Sequence, residues 1–373
     1  MKGSPFKSRI SVLRRKLSSS LQDKSGAAWI IQPENRRYLS GFKAEDMQFT
    51  ELSCSLLIDN TRLILITDSR YATAALEESP DFEVHALQRG LVQELPQLVE
   101  SLGLRYLLFE EDYLTWGLHN RLTKKLEQLS PHVRLKPLNG PVEEMRARKD
   151  ALEIKALEIS ASQICEILDE VIAGLKPGMT ERQVAWKIDK LAHEAGAERL
   201  SFPSIVASGP NSALPHAVPT DRKLKKKEPI ILDLGVRMNG YCSDITRTIF
   251  LGAPDPDFKK IYNIVRRAQL AALEQLRPGI VTTHLDGVAR QVISDAGFGD
   301  FFGHALGHGV GLATHENPRL GPQDPVKLEK GMVVTVEPGI YIPGKGGVRL
   351  EETVVVESGG PRILTGNNMF YDF

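Results

Sequence analysis

The loop Asn239-Gly240 constrains the fold of this chain more than any other feature. Asn-Gly between apolar segments is the strongest short signal for a two-residue hairpin loop, and here it joins PIILDLGVRM to YCSDITRTIF. In the register that this loop sets, Asp233 faces Thr246, and Asp244 lies diagonally from Asp233 on the same face. Diagonal neighbours are about 7–8 Å apart at the backbone. The sequence therefore predicts an antiparallel pair of strands that brings two acidic side chains together.

Further acidic side chains lie in apolar segments towards the end of the chain. Glu337 follows VVTV, and Glu351 lies in GVRLEETVVV. Strand alternation puts Arg349 on the face of Glu351 and sends Glu352 to the opposite face. A carboxylate in an apolar strand is unfavourable unless it is paired or binds a metal ion. A salt-bridged Asp233 and a simple Arg349–Glu351 pair remain alternatives when each residue is considered alone.

The run GHALGHGVGLATHENP, residues 303–318, contributes three histidines, His304, His308 and His315. The first two are four residues apart, as on a zinc-protease helix, but the glycines of the run disfavour a helix. His216, in a turn-like segment, is a further candidate, with an exposed loop histidine as the alternative. Four carboxylates and a histidine on separate, glycine-flanked segments are the donors that a two-metal hydrolytic site needs.

The length of 373 residues is enough for two domains of about 150 residues each. Residues 1–142 are predicted to form a smaller α/β domain. Its elements are strands at 27–31, 53–59, 62–68 and 105–110 and a turn-rich segment at 33–42. Residues 143–373 start with helices and continue mainly with strands, which predicts an α+β domain with helices on one side of an antiparallel sheet.

Composition argues against several kinds of partner. Lysine plus arginine equals aspartate plus glutamate, 47 each, so no global charge favours nucleic acid or an anionic membrane. The basic run Arg222–Lys227 is interpreted as a solvated loop, and no apolar stretch reaches the ~18–20 residues of a membrane span. Three distant cysteines without a CxxC pair are typical of a reducing compartment.

The first 22 residues contain basic residues and serines but no acidic residue, as in a transit peptide. Alternatively, the segment forms an amphipathic helix, because Ile10, Leu13, Leu17 and Leu21 recur at helical spacing. We favour the helix and therefore predict a cytoplasmic protein.

In this order, the motifs resemble those of the metallopeptidase family that contains methionine aminopeptidase, aminopeptidase P and prolidase. The resemblance runs from WIIQPENRRYLSGF to GVRLEETVVV. It implies a pita-bread catalytic domain, with helices on a curved antiparallel sheet, after a creatinase-like N-terminal domain that methionine aminopeptidase usually lacks. One departure, Ala305 where glycine is common, leaves the ligands intact. By the family's pattern, the metal ligands fall on Asp233, Asp244, His308, Glu337 and Glu351.

The resemblance also implies a chemistry. Carboxylates and an imidazole without a thiolate favour Mn²⁺, with Co²⁺, Zn²⁺ or Fe²⁺ as alternatives. Two such ions would share a bridging hydroxide that attacks the scissile carbonyl, with Glu337 as candidate general base. Histidines of the family's substrate pocket fall on His216, His304 and His315. Arg349 matches an arginine of the proline-selective members.

The activity implied is an exopeptidase that hydrolyses the N-terminal bond of a peptide with proline at the second position. The family expectation is a homodimer. We favour aminopeptidase P, which takes longer peptides, over prolidase, which takes dipeptides, although both share the matched motifs. A non-catalytic peptide-binding pita-bread protein and a creatinase-like enzyme without metal are the alternatives. Those relatives lose ligands, and this chain keeps all five.

Overall fold

The chain folds as two units, Met1–Met145 and Arg146–Phe373, in the computed structural model, which describes residues 5–18, 25–45, 48, 51–323, 325–366 and 370–373. The predicted amphipathic helix is α1 (Pro5–Lys16), which buries Ile10 and Leu13. Leu21, the last position of its predicted apolar face, lies outside the described residues.

The N-terminal unit is a mixed sheet flanked by helices. Its strands are β1 (Gly26–Ile30), β2 (Ser55–Ile58), β3 (Leu63–Asp68), β4 (Glu83–Leu87), β5 (Tyr106–Phe109) and β6 (Arg134–Pro137), in the order β4-β3-β2-β1-β5-β6. The later helices are α2 (Pro33–Ser40), α3 (Ala72–Glu78), α4 (Leu91–Ser101) and α5 (Trp116–Leu126), and α6 (Pro141–Ala147) begins in this unit and ends in the next. The hairpin predicted between 53–59 and 62–68 is confirmed, because β2 and β3 pair antiparallel with Ile58 opposite Leu63.

The turn-rich segment predicted at 33–42 is wrong, because helix α2 occupies most of it. Pro33 lies in the first helical turn, where its missing N–H removes no helical hydrogen bond. Gly41 ends the helix in the left-handed conformation, with φ 81°, as glycine commonly does. The sequence also missed β4 and β6. These are the edge strands of the sheet, and neither has a run of buried apolar residues.

The C-terminal unit combines long helices with antiparallel strands. Its helices are α7 (Ala151–Ala173), α8 (Glu181–Glu194), α9 (Pro256–Gln275) and α10 (Thr282–Asp295). Its strands are β7 (Arg199–Leu200), β8 (Ile205–Ser208), β9 (Pro229–Leu234), β10 (Val236–Met238), β11 (Tyr241–Cys242), β12 (Ile245–Phe250), β13 (Gly307–Gly309), β14 (Glu316–Leu320), β15 (Val333–Val336), β16 (Gly339–Ile342), β17 (Gly346–Arg349), β18 (Glu352–Glu357) and β19 (Gly360–Ile363).

Each pair of helices packs against one antiparallel sheet. Leu168 of α7 and Ile188 of α8 share a buried cluster with Leu232 of the sheet β12-β9-β8. Val265 of α9 lies in a second cluster with Val334 of the sheet β14-β13-β15-β18-β19. Burial of these apolar faces holds helices and sheets together. The predicted α+β arrangement, with helices on antiparallel sheet, is confirmed.

The hairpin register predicted from Asn239-Gly240 is also confirmed. Asp233 of β9 pairs with Thr246 of β12. Asn239 and Gly240 have φ of 52° and 86°, which is the positive φ that a type I′ loop needs at both central residues. Asp244 directly precedes β12, so a turn of two residues determines how two acidic groups approach each other.

The glycine-rich run 303–318 is not an α-helix, as predicted, and the structure shows it extended around His308. Strand β13 lies between β14 and β15. A Cβ at Gly307 would collide with the carbonyl oxygen of Thr335, and one at Gly309 with that of Asn317. Only glycine lets the neighbouring backbones come this close to the segment that carries His308.

No disulfide joins any two of Cys54, Cys165 and Cys242, all of which lie among the described residues. In the ranges given above, no helix combines the length and the apolar character needed to cross a membrane.

Candidate metal centre

Three of the five predicted ligands converge directly. Asp244, His308 and Glu351 each offer one ligand atom, and these atoms all lie within 4.8 Å of one another. Asp244 comes from the start of β12, His308 from β13, and Glu351 from the link between β17 and β18. The group therefore depends on contacts between distant parts of the chain, and its outermost members, Asp244 and Glu351, are more than a hundred residues apart.

The other two predicted ligands adjoin this group. Glu337 Oε1 lies 3.3 Å from His308 Nε2, and Asp244 Oδ2 lies 3.7 Å from the same nitrogen. Asp233 accepts a hydrogen bond at Oδ2 from Arg349 Nη2, with 2.5 Å between the two atoms. Arg349 and Glu351 thus both take part in the cluster. Glu352 instead pairs with Arg247, as the predicted alternation requires.

The donor set fits divalent cations. Asp233 Oδ1 and Glu351 Oε1 are buried and have no hydrogen-bond partner within the part of the chain that the structure describes. Such atoms are unfavourable unless something compensates them. His308 Nδ1 donates to the carbonyl oxygen of Gly309 at 3.0 Å, so in the neutral ring Nε2 carries the lone pair and can bind a metal.

The cluster is electrostatically strained without a cation. Burial raises the pKa of Asp244 and of Glu351 well above their usual range, and the neighbouring carboxylates add to the shift. Burial also raises the pKa of Asp233, against the opposing charge of Arg349. For Glu337, burial opposes ionisation, but the hydrogen bond and charge of His308 outweigh it and lower the pKa to about 2. Bound cations would relieve this repulsion.

The predicted pocket histidines lie around this cluster. The His315 ring packs edge to face against His308, with ring centroids 4.2 Å apart. His304 Nδ1 donates to the carbonyl oxygen of Ala305, and its Nε2 is 2.9 Å from the hydroxyl of Tyr341. Burial lowers the pKa of His304, against the opposing charge of Glu337. His216 is exposed, and its neighbours link it to the others, because the carbonyl oxygen of Pro215 accepts from Arg349 Nη1 at 3.2 Å and Ala217 shares a buried cluster with Tyr341.

Three residues that sequence reasoning missed support the cluster. Thr246 donates to Glu351 Oε2 at 2.8 Å, and Thr335 donates to Glu337 Oε1 at 3.2 Å. Tyr341 receives a hydrogen bond from Arg349 Nη1 at 2.8 Å. Burial raises the pKa of Tyr341 to about 12, so its hydroxyl stays protonated. The register already put Thr246 opposite Asp233, but no local pattern indicates the role of Tyr341.

Comparison with protein families gives a match in each unit. Residues 155–358 match the model described as metallopeptidase family M24. Residues 9–148 match the creatinase/prolidase N-terminal domain.

Individual proteins are similar over most of the chain. An Xaa-Pro dipeptidase of Pyrococcus horikoshii is 41% identical over 271 residues, which are 72% of this chain and 73% of that protein. The structure of an Xaa-Pro dipeptidase from Bacillus anthracis has a TM-score of 0.88 and 35% identity, and covers 97% of this chain and 98% of its own. The structure of an X-Pro aminopeptidase from Thermotoga maritima has a TM-score of 0.81 and 34% identity, with 92% and 96% covered.

Proposed function

The chain belongs to metallopeptidase family M24, and from this premise we propose that it is a dinuclear Xaa-Pro dipeptidase of the prolidase type. The observation that carries the proposal is the buried set of four carboxylates and one imidazole. Two of its carboxylate oxygens, Asp233 Oδ1 and Glu351 Oε1, lack a hydrogen-bond partner among the described residues. Divalent cations are the partners that such oxygens would take.

The proposed ligands are the predicted five, Asp233, Asp244, His308, Glu337 and Glu351. Mn²⁺ is the proposed native ion, with Co²⁺, Zn²⁺ or Fe²⁺ as alternatives, because oxygen and imidazole donors without thiolate suit ions of this hardness. When bound, two such ions would supply a water activated at neutral pH and would polarise the scissile carbonyl.

The side chains around the ligands have proposed roles in substrate handling. Glu337, whose Oε1 accepts a hydrogen bond from Thr335 at 3.2 Å, would accept the proton of the water nucleophile. His315 and His216 would orient the carbonyl and stabilise the developing oxyanion. His304, held by Tyr341, would border the proline ring. Arg349 would keep Asp233 oriented through its 2.5 Å hydrogen bond.

Proline selectivity has a physical basis in such a pocket. The nitrogen of proline carries no hydrogen, and its ring fixes φ near −65°. A pocket shaped for that ring excludes other residues sterically and needs no acceptor for an amide N–H at the scissile bond. The substrate's free amine would bind next to the acidic cluster, which explains removal of one N-terminal residue.

The preference between the two peptide lengths differs from the sequence-based one. The motifs alone favoured aminopeptidase P, with prolidase as the alternative. The Xaa-Pro dipeptidases of Pyrococcus and Bacillus anthracis, which align with most of this chain, support prolidase better. The similar X-Pro aminopeptidase from Thermotoga keeps aminopeptidase P as the second candidate.

A matched set of three peptides tests the proposal. With Mn²⁺ added, we expect rapid hydrolysis of Ala-Pro, slow hydrolysis of Ala-Pro-Ala and little hydrolysis of Ala-Ala. The same preparation treated with chelator is the control. Cleavage of Ala-Pro-Ala with Ala-Pro left intact would make the protein an aminopeptidase P. Equal rates on Ala-Pro and Ala-Ala would refute proline selectivity.

Location and assembly are further proposals. We propose a reducing compartment, the cytoplasm, because three distant cysteines without a CxxC pair are typical of one. The homodimer remains an expectation from the family, which sedimentation at several protein concentrations would test.

A further inference from the structure

We propose that each of the three pocket histidines is held in place by one buried carboxylate that lies outside the metal centre. The pairs are Glu181 with His216, Asp286 with His304, and Glu316 with His315. The three carboxylates would be positioning residues, because they contact the segments that carry the histidines and not the substrate. The inference rests on the proposed function, in which these histidines contact the peptide.

Glu181 accepts hydrogen bonds from both ends of the segment that carries His216. It lies in the first turn of α8, and its side chain is fully buried. Oε1 accepts from the backbone N–H and hydroxyl of Ser208 at 2.7 and 2.8 Å. Oε2 accepts from Asn211 Nδ2 at 2.9 Å and from the backbone N–H and hydroxyl of Thr220 at 3.0 and 2.6 Å. One carboxylate therefore ties both ends of residues 208–220 together.

The middle of this segment has contacts of its own: Ser212 accepts a hydrogen bond from the backbone N–H of Gly347 at 2.8 Å. Arg349 Nη1 donates to the carbonyl oxygen of Pro215 at 3.2 Å, which ties the segment to the metal-centre arginine. Leu214 and Val218 are 57% and 76% exposed, whereas Ala217, next to His216, is 3% exposed and packs in a buried apolar cluster with Tyr341. The placement of His216 thus depends on Glu181, which fixes the two ends of the segment, together with these contacts in its middle.

Asp286 holds the segment that carries His304. It lies on α10, is 1% exposed, and accepts at Oδ1 from the backbone N–H of Leu306 at 3.0 Å. Its partner Arg290 binds both carboxylate oxygens at 2.9 Å. Arg290 also donates to the carbonyl oxygens of Phe302 and His304, at 2.7 and 2.9 Å. The ion pair therefore contacts the backbone on both sides of the His304 ring.

Glu316 holds the segment that carries His315, its neighbour in sequence. Its side chain is 8% exposed and pairs with Arg146 at 2.5 Å and with Lys149 at 2.7 Å, and those side chains are 3% and 1% exposed. A Cβ at Gly311 would collide with this carboxylate. The backbone between His308 and His315 therefore packs directly against the Glu316 side chain. Movement of Glu316 would move the backbone of His315.

Orientation explains this arrangement better than stability does. A buried ion pair is weak support for stability, because well-packed apolar residues of similar size often replace it without loss. Buried, fully satisfied polar networks do fix one geometry. Here Glu181 and Asp286 accept hydrogen bonds from histidine-bearing segments, and Glu316 accepts one from the backbone N–H of Ala313 at 3.5 Å. Catalysis is sensitive to such positioning, since a displacement of ~1 Å can cost ~10²-fold in rate.

The test uses the pair Glu181 and His216 in the metal-loaded enzyme. Glu181→Gln keeps the shape but turns one acceptor oxygen into an NH₂ group, which faces N–H donors at one end of the segment. We expect kcat on Ala-Pro to fall roughly tenfold to a hundredfold with metal content unchanged. In a His216→Ala background the same change should cause little further loss. In a His304→Ala background it should cause the full loss.

A general structural effect predicts a different result, namely the same loss in both backgrounds, and that result would overturn the inference. Thr220→Val removes only one of the five hydrogen bonds to Glu181, at an exposed residue. If Glu181→Gln does not fold, this milder variant should show the same dependence on His216 with a smaller loss. Equal losses in both backgrounds would again refute the inference.

An NMR measurement that does not depend on peptide hydrolysis tests this inference independently of the proposed function. In the Zn²⁺-loaded protein, the imidazole NMR signal of His216, assigned by its disappearance in His216→Ala, should shift in Glu181→Gln. The signal of His304 should stay in place. If the wild-type enzyme cleaves none of the three peptides, the proposed function fails, and these signals still decide the positioning role. An unchanged His216 signal would overturn that role alone.

Discussion

Thr246→Val removes the hydroxyl that orients Glu351 while keeping the shape of the side chain. Thr246 is fully buried. It donates to Glu351 Oε2 at 2.8 Å and receives a hydrogen bond from Arg349 Nε at 3.3 Å. The other oxygen of Glu351 already lacks a partner among the described residues. In the variant, Glu351 Oε2 would lose the Thr246 hydroxyl as its donor. Neither oxygen of the proposed ligand would then be oriented by a hydrogen bond from a described side chain.

The expected cost is in metal affinity. A hydrogen bond to a charged group contributes about 1.5–3 kcal/mol, which corresponds to a factor of roughly 10–150 in a dissociation constant. Loss of a group that orients a metal ligand typically costs about 10–100-fold in affinity or activity. We therefore expect Mn²⁺ to bind some tens of times more weakly to Thr246→Val, with activity restored at high Mn²⁺.

Calorimetric titration of metal-free protein with Mn²⁺ measures this directly, alongside Ala-Pro hydrolysis as a function of free Mn²⁺. The matched control is Thr282→Val. Thr282 is equally buried and accepts a hydrogen bond from the backbone N–H of Val326 at 3.0 Å, and none of the proposed ligands is its partner there. Wild-type affinity in Thr246→Val, or an equal loss in Thr282→Val, would refute the assignment of Glu351 as a ligand oriented by Thr246.

Three further predictions follow from the same structure. Asp244→Asn should bind at least one ion fewer by elemental analysis and lose most of kcat while the fold survives; two bound ions at normal rate would mean that the ligands are misassigned. His315→Ala should keep both ions and lose roughly 10²–10³-fold in kcat, whereas a loss of metal with an unchanged rate per ion would remove its role. Burial raises the pKa of Glu110 in the N-terminal unit to about 7, above the unfolded value of about 4.3. The contribution of Glu110 to the free energy of unfolding is therefore fully present below the unfolded pKa. As the pH rises through the folded pKa of about 7, this contribution is lost, and the free energy of unfolding falls by up to ~3 kcal/mol. Glu110→Gln should remove this part of the decline in unfolding free energy between pH 5 and 8, measured by urea titration, and an identical decline in both proteins would contradict it.

Local sequence determined the elements whose information lies within a few residues. Asn239-Gly240 set the register of a whole hairpin, because a two-residue loop fixes strand pairing. Alternation correctly separated Glu351 from Glu352, since the period of a strand is exact over a few residues. The glycines around His308 excluded a helix. The helix at Pro33–Ser40 was missed because its buried polar side chains, Asn35 and Arg36, hide the apolar periodicity.

Only the tertiary structure decided how these pieces meet. The approach of Asp244, His308 and Glu351 to within 4.8 Å depends on contacts between strands far apart in the chain, and sequence spacing carries no distance across a fold. The same holds for Tyr341 beside His304, and for Glu181, whose carboxylate reaches a segment some 30 residues away. Hydrogen bonds of this kind leave no periodic trace, because they follow from packing geometry and not from local conformation. The sequence alone thus identified the candidate ligands and pocket histidines. Their distances and orientations were determined only by the tertiary structure.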